Sequence, residues 1–267
     1  MVREYQIADG VEAFSTTRKG GVSQGNYGEF NINEYCGDQE ANVVENRKLL
    51  AEQLRIPVQN IILPHQVHGA EVRQIGAEYL ALPENIRKML IEGVDALMTD
   101  QPNVCIGVST ADCIPVLLYD EAHHAVAAIH AGWRGTVQRI VQKTLAMMHA
   151  AFHTDNKDLK AVIGPGISLD AFEVGDEVYE EFVQGNFEME SIAEQRPNQK
   201  KEGNVDQPLK WHINLPLCNV QQLQQAGVPL ENILQSNICT YNNSEEYFSA
   251  RRLGIESGRI YTGIFLK

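Results

Sequence analysis

The chain has 267 residues, and 43% of them are hydrophobic, which is enough apolar material for a packed core and excludes a disordered protein. Lys and Arg total 22 against 35 Asp and Glu, and the resulting net charge of -13 argues against non-specific binding to nucleic acid or to an anionic membrane. No run of about eighteen apolar residues occurs and the N-terminal residues lack a signal-peptide core, so we expect a cytoplasmic protein with no membrane partner.

The first third of the chain combines loops with short regular elements. Glycines and polar residues predict a loop within roughly the first thirty residues, and the spacing of apolar residues predicts a helix over 40–54 that Pro57 closes. Two short strands are predicted on either side of the bend Pro-His-Gln-Val-His-Gly at 64–69.

The remaining elements interleave strands and helices. Apolar runs predict three consecutive buried strands at 104–109, 114–119 and 125–129, followed by a helix over 136–152. Beyond it the pattern predicts, in order, a strand in "LKAVIGPGIS", a helix over 176–184, a polar segment over 188–207, a helix over 215–226 and a terminal strand. Without a repeat or a flexible linker, the sequence predicts one mixed α/β (α+β) domain over 1–267.

The cysteines do not form a disulfide framework. They are odd in number and contain no Cys-x-x-Cys pair, which indicates free thiols in a reducing compartment; they are Cys36, Cys105, Cys113, Cys218 and Cys239. We expect most of them to be small core residues.

One of these cysteines lies in a segment rich in chemistry, "VSTADCIPVLLYDEAHHAVAAIHAGWRGTV". If its two apolar runs form a tight antiparallel hairpin with Tyr119 opposite Ala125, Cys113 falls opposite Ala131 and diagonal to His130, or opposite His130 if the register slips by one. Directly opposed Cβ atoms lie about 4.5–5.5 Å apart, which suits two ligands of one metal. The plainer interpretation is that both are ordinary buried residues.

A thiolate and an imidazole are typical zinc ligands, and a catalytic zinc usually has three protein ligands with the fourth position open. His68 in "QVHGAEV" is the best-placed third ligand, and His65 is its competitor. A structural zinc would need four protein ligands, so a fourth ligand such as His65 would favour a binding or scaffold protein over an enzyme.

Ordered blocks along essentially the whole chain resemble the YlmD/YfiH family, long labelled polyphenol oxidoreductase or laccase-domain proteins. The blocks are "STTRKGGVSQGNYG", "NVVENRKLL", "QVHGAEV", "VDALMTD", "TADCIPVLL", "HAGWRGTV", "IGPGI…FEVGDEV" and "CTY…FSARRLG…GR". The resemblance implies a four-layer αββα sandwich. It also implies phosphorolysis of adenosine, inosine and methylthioadenosine with inorganic phosphate, with adenosine deaminase activity beside it. The implied metal ligands are His68, Cys113 and His130, holding one zinc ion, with copper as the other possible metal.

The sequence departs from the family pattern at two places. "FNIN" at 30–33 stands where "LNLG" is usual, and Cys36 stands where an aliphatic residue is common. Ala250 and Leu253 in "SARRLG" stand where an aromatic residue and an aspartate are frequent. The metal blocks are intact, so these departures concern substrate preference.

The resemblance directs attention to further candidate site residues. Arg47, Arg18 and Asn31 are candidate contacts for phosphate or substrate, since guanidinium matches phosphate in a bidentate manner, although either arginine could form a surface ion pair. Asp112 is a candidate catalytic residue that would orient a ligand imidazole or, alternatively, cap a turn, and Asp95 has the same two interpretations.

Two other enzymes compete with this interpretation. A multicopper laccase needs His-x-His pairs, and the eight histidines of this chain form none. A cysteine hydrolase with Cys113 as nucleophile and His130 as base would leave His68 without a role.

Overall fold

The computed structural model describes residues 1–197 and 209–267. Its strands, numbered in chain order, are β1 (Val2–Tyr5), β2 (Val11–Thr16), β3 (Ile61–Ile62), β4 (Val72–Gln74), β5 (Ala96–Thr99), β6 (Cys105–Thr110), β7 (Ile114–Asp120), β8 (Ala125–Ala131), β9 (Lys160–Ile163), β10 (Glu173–Val174), β11 (Ala193–Pro197), β12 (Leu209–Ile213), β13 (Ile233–Gln235) and β14 (Ile260–Leu266). Its helices are α1 (Glu40–Leu54), α2 (Ala77–Leu80), α3 (Glu84–Leu90), α4 (Trp133–Val137), α5 (Ile140–Phe152), α6 (Asp176–Gln184), α7 (Met189–Ile192), α8 (Leu215–Gln225) and α9 (Ala250–Leu253).

Two mixed sheets form the centre of the molecule. The first sheet has the strand order β1-β2-β14-β6-β3, and the second has the order β13-β9-β7-β8-β5-β4. A small third sheet of order β10-β12-β11 lies apart from both. The three consecutive buried strands are confirmed as β6, β7 and β8, and the chain changes sheet between β6 and β7.

Alternating side chains along the central strands divide the core into three apolar layers. One layer lies between the two sheets and includes Val108 of β6, Ile264 of β14 and Leu117 of β7. A second joins the outer face of the first sheet to Leu50 of α1, and a third joins the outer face of the second sheet to Leu145 of α5. Helices therefore cover both outer faces, which confirms the four-layer αββα sandwich.

The hairpin register differs by one residue from the predicted one. Strands β7 and β8 pair Asp120 with Ala125 and Ile114 with Ala131, so neither predicted register places Cys113 correctly. Cys113 instead lies in the loop that precedes β7, one residue before the strand begins at Ile114. Asp120 caps the turn by accepting hydrogen bonds from the backbone N–H groups of Ala122 and His123, both at 3.1 Å, which extends the ladder by one pair.

Two other predictions differ from the structure. The helix predicted over 136–152 is broken into α4 and α5, because Arg139 takes a left-handed conformation with φ 63° and binds the carbonyl of Gly185 at 2.7 Å. Residues 193–197 of the predicted polar segment form strand β11, paired with β12; residues 198–207 of that segment lie outside the described residues.

The cysteines are free thiols, as expected, but only Cys105 and Cys218 are fully buried. Within 1–197 and 209–267, no helix is long and apolar enough to span a membrane.

Candidate metal centre

Three side chains from separate segments meet at one edge of the second sheet. His68 lies in the bend between β3 and β4, Cys113 in the loop before β7, and His130 near the end of β8. One ligand atom from each lies within 4.8 Å of the other two. The imidazole rings of His68 and His130 meet edge to face, with centroids 4.8 Å apart. The structure therefore brings together the three residues for which the sequence predicted metal ligation.

A buried aspartate organises this cluster. Asp95 is fully buried, and its Oδ1 accepts a hydrogen bond from Nδ1 of His130 at 2.7 Å. The same carboxylate accepts hydrogen bonds from the backbone N–H groups of Val67, His68 and Gly69 at 3.3, 3.0 and 2.8 Å. Asp95 thereby fixes the His68 bend and leaves Nε2 of His130 to face the cluster, an arrangement typical of metal-binding histidines.

The backbone of the bend has a left-handed conformation at His68 that contributes to this geometry. His68 has φ 62°, in the left-handed region that non-glycine residues seldom adopt. The three hydrogen bonds from consecutive backbone N–H groups to Asp95 hold the bend in that conformation, because releasing it would leave a buried carboxylate without three of its four donors.

Gly132 makes room for the cluster. A Cβ atom at this position would lie 3.0 Å from Sγ of Cys113, 3.2 Å from Cδ2 of His68 and 3.7 Å from Cε1 of His130. The backbone of the β8–α4 junction therefore forms one wall against all three ligand residues, and any side chain would push them apart.

The charged groups of the cluster favour one another's ionised forms. Burial raises the pKa of the Cys113 thiol, but the neighbouring imidazoles of His130 and His68 outweigh this effect and bring the pKa down to about 6. Burial lowers the pKa of His130, whereas Cys113 and Asp95 raise it to about 9. Burial raises the pKa of Asp95, but the hydrogen bonds from His130 and the backbone leave it below its ordinary value. The thiol is thus a thiolate at neutral pH, the form that binds metals.

The donor set and its surroundings fit a metal ion of the zinc or copper type. Two imidazole nitrogens and a thiolate converge, and zinc forms bonds of about 2.0–2.3 Å with such donors. Among the described residues, no fourth His, Cys, Asp or Glu joins the group. His65, the predicted competitor, is held by a hydrogen bond of 2.6 Å between its Nδ1 and Glu92. An ion held by three residues would keep a position open for a reactant, as catalytic sites do.

The cluster forms one wall of a cavity of about 450 Å³, here called the site cavity. Besides the three ligand residues, its lining includes Asn33, Tyr35, Cys36, His65, Gln66, Ser109, Thr110, Ala250, Glu256 and Arg259. Arg259 donates hydrogen bonds to the carbonyls of Ser257 and Ile255 at 2.6 and 3.0 Å. These contacts fix a guanidinium that forms no ion pair within the described part of the chain, and it is the one Lys or Arg in the lining.

The predicted substrate contacts lie elsewhere. Arg18 donates to the carbonyls of Gly28 and Ser244 at 2.9 and 2.6 Å and does not line the site cavity. Arg47 lines a neighbouring cavity instead. Asn31 is fully buried behind the lining, where its Oδ1 accepts a hydrogen bond from the backbone N–H of Arg259 at 3.1 Å.

The carboxylate next to Cys113 does not contact an imidazole. Asp112 accepts hydrogen bonds from Oγ1 of Thr240 and from the backbone N–H of Arg251, both at 2.7 Å, so the expected orienting contact is wrong for this residue and belongs to Asp95. Asp112 has φ 89°, and these two bonds secure the loop that presents the thiol.

Sequence reasoning missed two residues that shape the site. Gln66 bridges to strand β6 by accepting a hydrogen bond from the backbone N–H of Ser109 at 2.7 Å and donating one to its carbonyl at 2.9 Å. Arg259 was within reach of sequence reasoning, since it belongs to the "GR" that follows "FSARRLG" in one of the blocks that carry the family resemblance.

Comparisons with known proteins find similarity over nearly the whole chain. A family model described as multi-copper polyphenol oxidoreductase laccase matches residues 12–267. The chain is 44% identical over 256 residues to a purine nucleoside phosphorylase of Bacteroides thetaiotaomicron, covering 96% of this chain and 92% of that protein. It is 40% identical over 259 residues to adenosine deaminase RL5 of an unknown prokaryotic organism, covering 97% of this chain and 95% of that protein.

Solved structures have the same fold. YlmD from Geobacillus stearothermophilus matches with a TM-score of 0.83 and 29% identity, covering 97% of this chain and 93% of that chain. The hypothetical protein YfiH of Bacillus licheniformis matches with a TM-score of 0.84 and 26% identity, covering 99% of both chains.

Proposed function

This chain belongs to the YlmD/YfiH family, whose model is described as multi-copper polyphenol oxidoreductase laccase, and we propose that it is a metal-dependent purine nucleoside enzyme. It cleaves adenosine, inosine and methylthioadenosine with inorganic phosphate to the free base and ribose 1-phosphate or methylthioribose 1-phosphate. It also deaminates adenosine with water to inosine and ammonia. Relatives named purine nucleoside phosphorylase and adenosine deaminase support both activities.

The observation that carries this proposal is the convergence of His68, Cys113 and His130 on one wall of the site cavity. The cavity of about 450 Å³ lies in the range of small-molecule sites, about 300–1,000 Å³, and suits a nucleoside. A zinc ion held by these three residues would supply Lewis-acid activation of water for deamination. The free thiols fit a cytoplasmic enzyme.

The chain's own groups supply the other requirements. Phosphorolysis needs a cation that holds phosphate beside the ribose, and Arg259 is the fixed guanidinium in the cavity lining. It also needs a proton donor for the departing purine. The imidazolium form of His65 takes this role: Glu92 accepts the hydrogen bond from Nδ1–H, and Nε2–H gives its proton to the departing purine. Asp95 is a positioning residue for His130, and Asp112 is a positioning residue for the loop of Cys113.

Product analysis tests the proposal. Purified protein is incubated with adenosine, inosine or methylthioadenosine, with and without inorganic phosphate, beside the Cys113→Ala variant. We expect free base and sugar 1-phosphate only with phosphate, inosine from adenosine in either condition, and neither product from the variant. Wild-type protein that leaves all three nucleosides unchanged would refute the proposal.

Copper is the second candidate metal, because a His₂Cys donor set also suits copper and the family description names it. Metal analysis after expression without added copper separates the two. We expect zinc; stoichiometric copper together with turnover of a phenol would instead support a polyphenol oxidoreductase.

A further inference from the structure

A second cavity of about 260 Å³ lies next to the site cavity, and Tyr35 belongs to the lining of both. Two arginines and a second tyrosine line it, Arg47 of α1, Arg87 of α3 and Tyr79 of α2, and we call it the arginine cavity. The ring of Tyr35 stacks on His65 of the site cavity with centroids 4.3 Å apart, so one side chain separates the two spaces.

The lysines of the arginine cavity are neutralised, but its arginines are not. Lys88 pairs with Glu34 at 2.7 Å and with Glu84 at 3.6 Å, and Lys48 pairs with Glu45 at 3.2 Å. The three carboxylates pair with the two ammonium groups and not with the guanidinium groups, and with the two arginines the set carries a net charge of +1.

Each guanidinium has one backbone contact. Arg47 donates to the carbonyl of Ile61 at 2.8 Å, and Arg87 donates to that of Gln59 at 3.4 Å, a long hydrogen bond. Within the described ranges, the side chains of these two arginines form no ion pair with a carboxylate. Two guanidinium groups without a carboxylate partner therefore line this cavity, and such groups bind anions such as phosphate through charge-assisted hydrogen bonds.

The remaining lining suits a small organic group with hydroxyls. Tyr79 is almost fully buried, and burial raises its pKa to about 12 against the opposing effect of Arg87, so its hydroxyl remains a hydrogen-bond donor. Val44 and Val58 provide an apolar surface, while the side chain of Gln59 offers an amide. The volume lies below the usual range for drug-sized ligands, about 300–1,000 Å³, which favours a ligand smaller than a nucleotide.

We propose that the arginine cavity is a second ligand site, separate from the site cavity, which binds a small sugar phosphate. The phosphate monoester lies between Arg47 and Arg87, and the sugar lies against Tyr79 and the valines. A phosphate between two guanidinium groups forms charge-assisted hydrogen bonds with both and supplies the anionic partner that neither has among the described residues. The proposal does not depend on the nucleoside reactions, because no residue of the metal cluster lines this cavity.

Calorimetric titration of the metal-loaded protein with ribose 5-phosphate, without any nucleoside, tests the proposal. We expect binding that Arg87→Gln and Arg47→Gln each weaken by about tenfold, the size of effect expected for a lost charge-assisted hydrogen bond. Arg55→Gln is the matched control, since this exposed arginine has the same charge but does not line the cavity. We expect inorganic phosphate and adenosine monophosphate to bind more weakly than ribose 5-phosphate.

Several results would overturn the proposal. The first is the absence of any binding of ribose 5-phosphate to the wild type. The second is a loss of binding in Arg259→Gln with intact binding in Arg87→Gln, which would place the anion in the site cavity. An equal loss of affinity in Arg55→Gln would indicate that binding depends on the overall charge of the protein and not on this cavity. Tighter binding of inorganic phosphate or adenosine monophosphate than of ribose 5-phosphate would exclude a sugar phosphate site.

Chemical modification keeps the test independent of variant folding. Phenylglyoxal labels accessible arginines, and mass spectrometry reads each position in wild-type protein. We expect ribose 5-phosphate to protect Arg47 and Arg87 but not Arg55; equal labelling of all three with and without the ligand would contradict the proposal.

Discussion

Asp95 shows how a single residue can determine the geometry of a site. Its carboxylate holds one ligand imidazole and the bend that carries another, although it lies 35 residues away from His130 in the sequence. From the sequence alone, Asp112 was an equally good candidate for orienting a ligand imidazole, because it adjoins Cys113. Only the folded chain distinguishes the two carboxylates, because β5, which follows Asp95, pairs with β8 and thereby places Asp95 beside His130.

We expect Asp95→Asn to lower metal affinity by about 10–100-fold, since the amide would present one acceptor atom instead of two and no charge to the four donors. Competition with a chromogenic chelator measures the change. Asp120→Asn is the control, because Asp120 is also buried and also binds a histidine, with 2.9 Å to Nδ1 of His123, but far from the cluster. Equal losses in both variants would assign Asp95 a merely structural role.

The pair of Cys113 and His130 predicts the pH dependence of the metal-free protein. The pKa of Cys113 falls from 9.0 to about 6, so its contribution to stability is fully present above pH 9.0 and is lost as the pH falls through about 6. The pKa of His130 rises from 6.5 to about 9, so its contribution is fully present below pH 6.5 and is lost as the pH rises through about 9.

The chelator-treated protein should therefore have its highest Tm between about pH 6 and 9. In the same samples, alkylation of Cys113 by iodoacetamide should slow as the pH drops through about 6. His130→Gln should move this transition toward ordinary thiol values. An alkylation profile that His130→Gln leaves unchanged would contradict the coupling of the pair.

At the scale of elements, the hairpin of β7 and β8 marks the limit of prediction from sequence. The apolar runs identified both strands, but the register depends on whether Asp120 belongs to the strand or to the turn, and apolar periodicity does not decide that. The same applies to β11, whose polar residues carry no strand pattern and are ordered by pairing with β12. Helix α1, with apolar residues at helical spacing and a following proline, agrees with its predicted bounds of about 40–54.

The junction of β8 and α4 supplies a prediction at this scale. Gly132→Ala should weaken metal binding by at least about tenfold, because its Cβ would lie 3.0 Å from Sγ of Cys113 and overpacking of this kind costs about 1–3 kcal/mol. Gly185→Ala is a matched control, with a nearest atom at 3.2 Å and a location at the end of α6. The prediction fails if chelator competition gives wild-type affinity for Gly132→Ala, or the same loss for the control.

At the scale of the whole molecule, the three apolar layers contain none of the ligand residues of the metal cluster, which lies at one edge of the second sheet. The layers themselves were expected from the family resemblance and not from periodicity, which gave only a mixed α/β class. The substrate contacts were not predictable, because the site cavity is lined by residues from segments far apart in the sequence. One domain over 1–267 stays a prediction.

Removal of the metal should therefore lower stability without unfolding the chain. We expect chelation to lower Tm by about 5–15 °C, since a tightly bound ion contributes a few kcal/mol to a protein of this size. Far-ultraviolet circular dichroism should remain unchanged at room temperature. Loss of secondary structure on chelation would instead make the metal part of the core of the fold.

The central claim is that His68, Cys113 and His130 hold the ion on which catalysis depends. Metal content per chain and adenosine turnover, measured on the same samples of wild type, Cys113→Ala and Cys239→Ala, test it most directly. Cys239 is a half-buried free thiol outside the cluster and serves as the control. The account predicts one ion and full turnover in the wild type and in Cys239→Ala, and neither in Cys113→Ala. A Cys113→Ala protein that retains its ion, or that turns over adenosine without one, would contradict it.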